Sequence, residues 1–180
     1  MLSTLKKVQF KEGIVFDKNK SQYIVQRTAG MRNKKYQYVE NCPPMKWKLM
    51  DGDSTIAGYK CNKAETELFG RTYIAWYSPD IAMPYGPYKF NGLPGLVLRV
   101  TDTRGHFDFL LNGLEKVHGY KPIYLWAKAD IVKTNRETVR KIYKNYCADP
   151  VSALTSSGVT IPDDVKATVS AKPYNPMEME

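Results

Sequence analysis

Between Pro84 and Leu96 the chain reads Pro-Tyr-Gly-Pro-Tyr-Lys-Phe-Asn-Gly-Leu-Pro-Gly-Leu, a stretch through which neither a helix nor a regular central strand can run. Each proline fixes its φ and removes a backbone donor, and each glycine opens conformations closed to other residues. Leu93-Pro94-Gly95-Leu96 suits a type II turn, with Pro at the second position and a glycine at the third to accept positive φ. The segment is therefore a specified bend between whatever precedes and follows it. Its aromatic and apolar side chains admit two uses. Tyr88, Phe90 and Leu93 can plug the end of a core. As a pre-set surface, Tyr85, Gly86, Pro87, Tyr88, Phe90, Gly92, Leu93, Pro94, Gly95 and Leu96 are candidate binding residues, because a rigid loop loses little entropy on recognition.

The flanks of this bend read as β-strands. Arg71-Thr-Tyr-Ile-Ala-Trp-Tyr77, introduced by Gly70, is β-branched and aromatic without charge in its middle, which suits a central strand. After the bend, Leu96 to Thr101 and His106 to Leu111 form a hairpin across Asp102-Thr-Arg-Gly105, with Gly105 placed for a left-handed bulge. Before it, Lys46 to Leu49 alternates, Asp51-Gly-Asp-Ser54 is turn chemistry, and Thr55 to Glu65 continues as a strand, predicting a first hairpin. Gly13 to Phe16 and Gln22 to Val25 are short β runs separated by Asp17-Lys-Asn-Lys. Pro122 to Lys133 fits strand or buried helix, and its β-branched ends favour strand.

One helix stands out. Thr134 as N-cap with Glu137 three residues on forms a capping box, and Val139, Ile142, Tyr143 and Tyr146 make one apolar stripe through about Tyr146. Beyond Pro150 the composition turns to Ser, Thr, Asp and Pro, which predicts an irregular tail with a short turn near Pro162-Asp-Asp. The expected fold is mainly β (α+β): a curved antiparallel sheet or half-barrel with one C-terminal helix packed on it. Residues 1–35 read as lead-in strands to a β domain spanning 36–180, one domain overall.

The composition is that of a globular chain, 43% hydrophobic and 25% charged, so it needs no staple to fold. Thirteen Tyr and three Trp favour sheet surfaces over a helical bundle. The net charge of +9 is spread over scattered lysines such as Lys34, Lys35, Lys46, Lys48, Lys60 and Lys63, which argues against nucleic acid as partner. No run approaches the ~20 apolar residues of a membrane span. The opening residues lack a secretory h-region and cleavage site.

Catalytic chemistry has few residues to work with. His106 and His118 are the two histidines, and no Gly-x-Ser-x-Gly or Cys-Gly-Ser-Cys pattern accompanies them. No Cys-x-x-Cys or His-Glu-x-x-His spacing offers a metal set, and Gly92-x-x-Gly95 leads into a strand instead of a helix, so no nucleotide fingerprint exists and no cofactor is expected. Asp102 with Asp108 or Asp80 are the carboxylates that could converge for hydrolysis, with Arg71 or Arg99 as electrostatic partner. Read alone, these are turn and solvent-face groups. Cys42 and Cys61 flank the first hairpin and are either a disulfide or two buried thiols on spacing alone.

The run Gly86-Pro-Tyr-Lys-Phe-Asn-Gly-Leu-Pro-Gly-Leu96 closely resembles the signature of the bacterial GLPGLI family. Trp47-Lys-Leu, Ile56-Ala-Gly-Tyr-Lys-Cys-Asn-Lys-Ala64 and Gly70 to Tyr77 resemble its upstream blocks in the same order, and Pro173-Tyr-Asn-Pro-Met-Glu178 resembles its ending. Val97 replaces the isoleucine of the family name. The resemblance implies an exported periplasmic or outer-membrane-associated protein, a natural start upstream of Met1, and an oxidising compartment that favours a Cys42–Cys61 bridge. The family brings no established activity or ligand. The expected role is a non-enzymatic envelope protein whose aromatic sheet binds an apolar ligand, lipid or envelope protein; the rival is a hydrolase of envelope glycans or peptides using Asp80, Asp102 or His106.

Overall fold

The structure is a computed structural model that describes residues 12–29, 34–119, 125–126, 131–156, 158 and 160–179. In chain order its strands are β1 (Glu12–Asp17), β2 (Gln22–Thr28), β3 (Lys35–Asn41), β4 (Lys48–Ile56), β5 (Tyr59–Leu68), β6 (Arg71–Ser78), β7 (Leu96–Asp102), β8 (Asp108–Leu110) and β9 (Ile131–Lys133). The helices α1 (Arg136–Ala148), α2 (Pro150–Thr155) and α3 (Asp163–Lys166) follow. The protein is thus mainly β in an α+β arrangement, and its strands divide between two sheets, neither of which closes into a barrel. The chain forms two compact units, Met1–Asn41 with Ile123–Tyr174 and Cys42–Pro122 with Asn175–Glu180.

In the first unit the strand order is β1-β2-β3-β9, antiparallel except for the parallel β3–β9 pair. Register sorts the side chains into two faces, because directly opposed residues point the same way. Phe16 lies opposite Tyr23, Val25 opposite Tyr38 and Arg27 opposite Tyr36. Helix α1 packs on β3 along this aromatic face, with the Arg27 guanidinium 4.4 Å from the Tyr143 ring centre and Arg136 3.7 Å from Glu40. On the other face Gln26 pairs with Gln37 at 2.8 Å, and its amide is also bonded to the Trp126 backbone.

The helix carries the expected stripe, with Val139 buried and Ile142, Tyr143 and Tyr146 half-buried. Its cap is Asn135, one residue later than expected: the Asn135 side chain accepts from Thr138 N at 2.8 Å, and Thr134 N instead donates to Gln37 O, continuing β9. The region after Pro150 is less irregular than its composition suggests. Asp149 accepts from Ser152 N at 2.9 Å and Pro150 sits in the first turn, a start signal that composition hides. The turn expected near Pro162 opens α3. Of the strand expected over Pro122 to Lys133, the last three residues form β9, and residues 122–124 and 127–130 lie outside the described ones.

The second unit is one antiparallel sheet in the order β4-β5-β6-β7-β8 with β6 at its centre, as the uncharged middle of that strand predicts. The first hairpin turns at Ala57-Gly58, both at positive φ (49° and 84°), as a two-residue hairpin of right-handed twist requires. Asp51-Gly-Asp-Ser54 is instead a bulge inside β4, where the register shifts between Met50 and Asp53. This placement also disposes of the Cys42–Cys61 bridge. Cys61 faces Ser54, and Cys42 precedes the first paired residue Lys48 and accepts from Asn91 Nδ2 at 3.3 Å; no disulfide joins the three cysteines.

One row of small residues crosses the sheet, Ala64 opposite Ala75 opposite Val100, each fully buried. The space above that row is filled by Phe90 and Leu93 from the bend, together with Tyr73, Tyr77, Val97 and Met177. Phe90 meets the Tyr73 ring edge-on at 4.8 Å. The bend reaches this depth because Gly95 (φ +154°) passes against the backbone of β6: a Cβ there would lie 2.1 Å from Ser78 O. The expected type II turn does not form. Leu96 N donates to Ile81 O instead of Leu93 O, and Gly95 N donates to Leu93 O at 2.8 Å, a tighter three-residue turn. Gly95→Ala should therefore cost more than ~3 kcal/mol in urea unfolding, whereas Gly113→Ala, with open space around it, should stay within about 0.5 kcal/mol.

Candidate functional site

The bend is closed on itself before it meets anything else. Gly92 N donates to Pro84 O at 3.1 Å, Tyr85 and Asn91 form an antiparallel bridge, and Trp47 Nε1 donates to Asn91 O at 2.8 Å. Val97 N donates to Tyr85 O at 2.9 Å, which fixes the Tyr85-Gly86-Pro87 corner against β7. With Phe90 and Leu93 anchored in the core, that corner cannot fold down onto its neighbours.

It leaves an open apolar cleft of about 360 Å³. Met83, Tyr85, Gly86 and Pro87 form one wall, Leu96 to Leu98 of β7 contribute next, and Phe109 to Leu111 with Leu114 complete the lining. Met83, Tyr85, Leu110 and Leu114 are exposed, large and apolar, an arrangement that a solvated surface does not favour. The volume lies within the range of small-molecule sites.

A second cluster lies along β6, where two cations are buried. Arg71 is 4% exposed and its Nη1 is 3.2 Å from Asp102 Oδ2. Asp102 Oδ1 accepts from His106 N at 2.7 Å and Phe107 N at 2.8 Å, so the carboxylate ties the β7–β8 turn, where Gly105 takes φ +70°. The remaining guanidinium donors go to Pro176 O, at 3.0 Å from Nε and 2.8 Å from Nη2, and to Asn175 Oδ1. Lys89, wholly buried, pairs with Glu178, which also accepts from the Tyr88 hydroxyl. Tyr73 donates its hydroxyl to Met177 O at 3.0 Å. Burial pushes the Tyr73 phenol far above its usual 10.0; Arg71 opposes the shift, and the Asp102 and Glu178 carboxylates add to it.

The ten candidate binding residues therefore separate. Tyr85, Gly86, Pro87 and Leu96 line the cleft; Phe90, Leu93 and Gly95 are buried under the bend; Tyr88 holds Glu178; Gly92 and Pro94 are exposed on its outside. The missing wall comes from Phe109-Leu110-Leu111 and Leu114, an apolar run whose exposure the hairpin pattern alone does not show. Of the hydrolytic candidates, Arg71, Asp102 and His106 do meet, with His106 Nδ1 3.3 Å from Arg71 Nη1. Every oxygen of Asp102 in that contact is already spent on the backbone and Arg71. Asp102 and Asp108 fall on opposite faces, since Asp108 pairs with Thr101 and binds Arg99 at 2.9 Å. Asp80 and His118 are exposed.

Residues 67–99, which hold β6 and the whole bend, match the model of a family described as a protein of unknown function (Porph_ging). Two solved structures of PNGF-II, in the C2 and P21 space groups, are similar in fold, each with a TM-score of 0.57 and 19% identity over 79% of this chain. The chain spans 26% of the length of each. No curated protein matches it.

If the Arg71 cluster is a strut, removing either buried partner is costly and removing the histidine is not. Arg71→Ala and Asp102→Ala should each lose ~3–5 kcal/mol in urea unfolding, and His106→Ala, whose side chain is 43% exposed, less than ~1 kcal/mol. The Tyr73 shift sets an alkaline limit. Below pH ~10 both folded and unfolded phenols are protonated, and above it the unfolded chain releases a proton that the folded one retains. Stability should fall as the pH rises past that point, and Tyr73→Phe should lessen the slope.

Proposed function

We propose that this is an exported, non-enzymatic envelope protein whose second unit binds an apolar small molecule, of the kind of a lipid acyl chain, in the cleft beneath Tyr85-Gly86-Pro87. The observation that carries this reading is the cleft itself: a preformed space of about 360 Å³ lined by apolar residues and kept open by a bend whose Phe90 and Leu93 are committed to the core. An acyl chain needs little more than such walls, and its binding gains roughly 0.8 kcal/mol per methylene buried. The volume suits a single chain better than a folded partner. Export to the envelope rests on the likeness of Gly86 to Leu96 and the blocks around it to the GLPGLI family.

The hydrolase reading is less well supported. It needs a cleft in which two of Asp80, Asp102 and His106 face a substrate, and the acid of the pair that does meet is buried with one oxygen on two backbone donors and the other on Arg71. Binding of a fluorescent apolar probe, followed by displacement with a fatty acid, tests the preferred reading. Leu110→Asp and Leu114→Asp should each weaken binding by roughly tenfold or more, since each removes an apolar wall. Val39→Asp, an exposed apolar position in the other unit, should leave it unchanged. Equal affinity in all three variants would defeat the assignment, and recovery of the natural gene product in the cytosol would remove export from it.

A further inference from the structure

Residues 175–179 contribute no strand to the sheet of the second unit, yet its two buried cations, Arg71 and Lys89, are both spent on them. Three kinds of contact hold the segment. Backbone carbonyls of Pro176 and Met177 accept from Arg71 and Tyr73, and Met179 N donates to Phe69 O at 2.9 Å. The Met177 side chain enters the apolar core beside Phe90 and Leu93. The Glu178 carboxylate meets Lys89 and the Tyr88 hydroxyl. Shape, backbone and charge are each read once over a few residues, which is how short extended peptides are recognised.

Such a site cannot stand empty at low cost. Without the segment, Lys89 at 0% exposure would be left without Glu178, and Arg71 would lose its carbonyl acceptors. Removing one member of a buried ion pair is strongly destabilising. The stretch leading into the segment, residues 162–168 and 170–173, is exposed and is held at Lys172, whose N donates to Cys147 O at 2.7 Å, so the link ahead of Lys172 can be cut or exchanged without uncovering core.

We propose that Arg71, Tyr73, Tyr88 and Lys89 form a peptide-recognition site for a short apolar-then-acidic segment, filled here by Pro176-Met-Glu178 of the same chain and open to the same segment of a second copy. It is a separate site from the apolar cleft and does not depend on what that cleft binds.

The test uses the full chain with a protease site in place of residues 168–171, cut in the folded state, and a labelled peptide of residues 174–180. The peptide should enter the cut protein and displace its own fragment. The same peptide carrying Glu178→Gln should bind roughly tenfold or more weakly, because a hydrogen bond to a charged group is lost. The uncut chain should take up far less label, its own segment being present at an effective concentration on the order of millimolar. If cutting unfolds the protein, added peptide should restore the fold. The proposal is overturned if a cut, folded chain admits no peptide, if the Gln peptide enters equally well, if the uncut chain labels as readily as the cut one, or if an unfolded cut chain is not rescued.

Discussion

The second unit depends on one steric arrangement: a glycine pressed against the carbonyl of Ser78 so that Phe90 and Leu93 can descend onto a row of alanines and a valine. Small residues at Ala64, Ala75 and Val100 would leave a void if nothing covered them, and the bend supplies the missing volume. Close packing of this kind is felt to within a methyl group. The bend and the sheet row are therefore one object, although they come from separate stretches of sequence. Its rigidity then has an external result, because a corner held from below keeps the space beside it open.

The buried charges form a second layer built on the first. Arg71 and Lys89 flank the covered row and need acceptors, which the sheet provides only in part. Asp102 supplies one set and the segment from Asn175 the other. The Arg71, Asp102 and His106 contact resembles a reactive cluster by residue type. Its hydrogen bonds show a joint between β6, the β7–β8 turn and the segment at 175–179.

Much of this fold was legible in the residues, for reasons that differ from element to element. The strand at Arg71 to Ser78 was plain because a central strand needs apolar residues on both faces. The hairpin around Gly105 was plain from its glycine, but its second strand begins at Asp108 instead of His106 because Asp102 Oδ1 holds His106 N and Phe107 N in the turn. The first hairpin was misplaced because Asp51-Gly-Asp-Ser54 has the composition of a turn, while Ala57-Gly58 does so only at its second residue. A bulge and a turn draw on the same residues, and only cross-strand register tells them apart. The disulfide expectation failed with it. The candidate site was half readable: the bend announced Tyr85, Gly86, Pro87 and Leu96, but Leu110 and Leu114 gave no sign that a wall would be missing beside them. The roles of Arg71, Lys89 and Glu178 depend on contacts about a hundred residues apart in the chain, which local pattern cannot reach.

The discontinuity of the second unit bears on how it is made. Its sheet, Cys42–Pro122, leaves the ribosome before residues 123–174, and the segment that neutralises Lys89 and caps Arg71 follows only afterwards. At ~5–20 residues per second, that interval lasts on the order of several seconds. Until that segment arrives Lys89 lacks the Glu178 carboxylate and Arg71 lacks the Pro176 carbonyl, so translation order delays the final locking of this unit until the intervening residues have been synthesised.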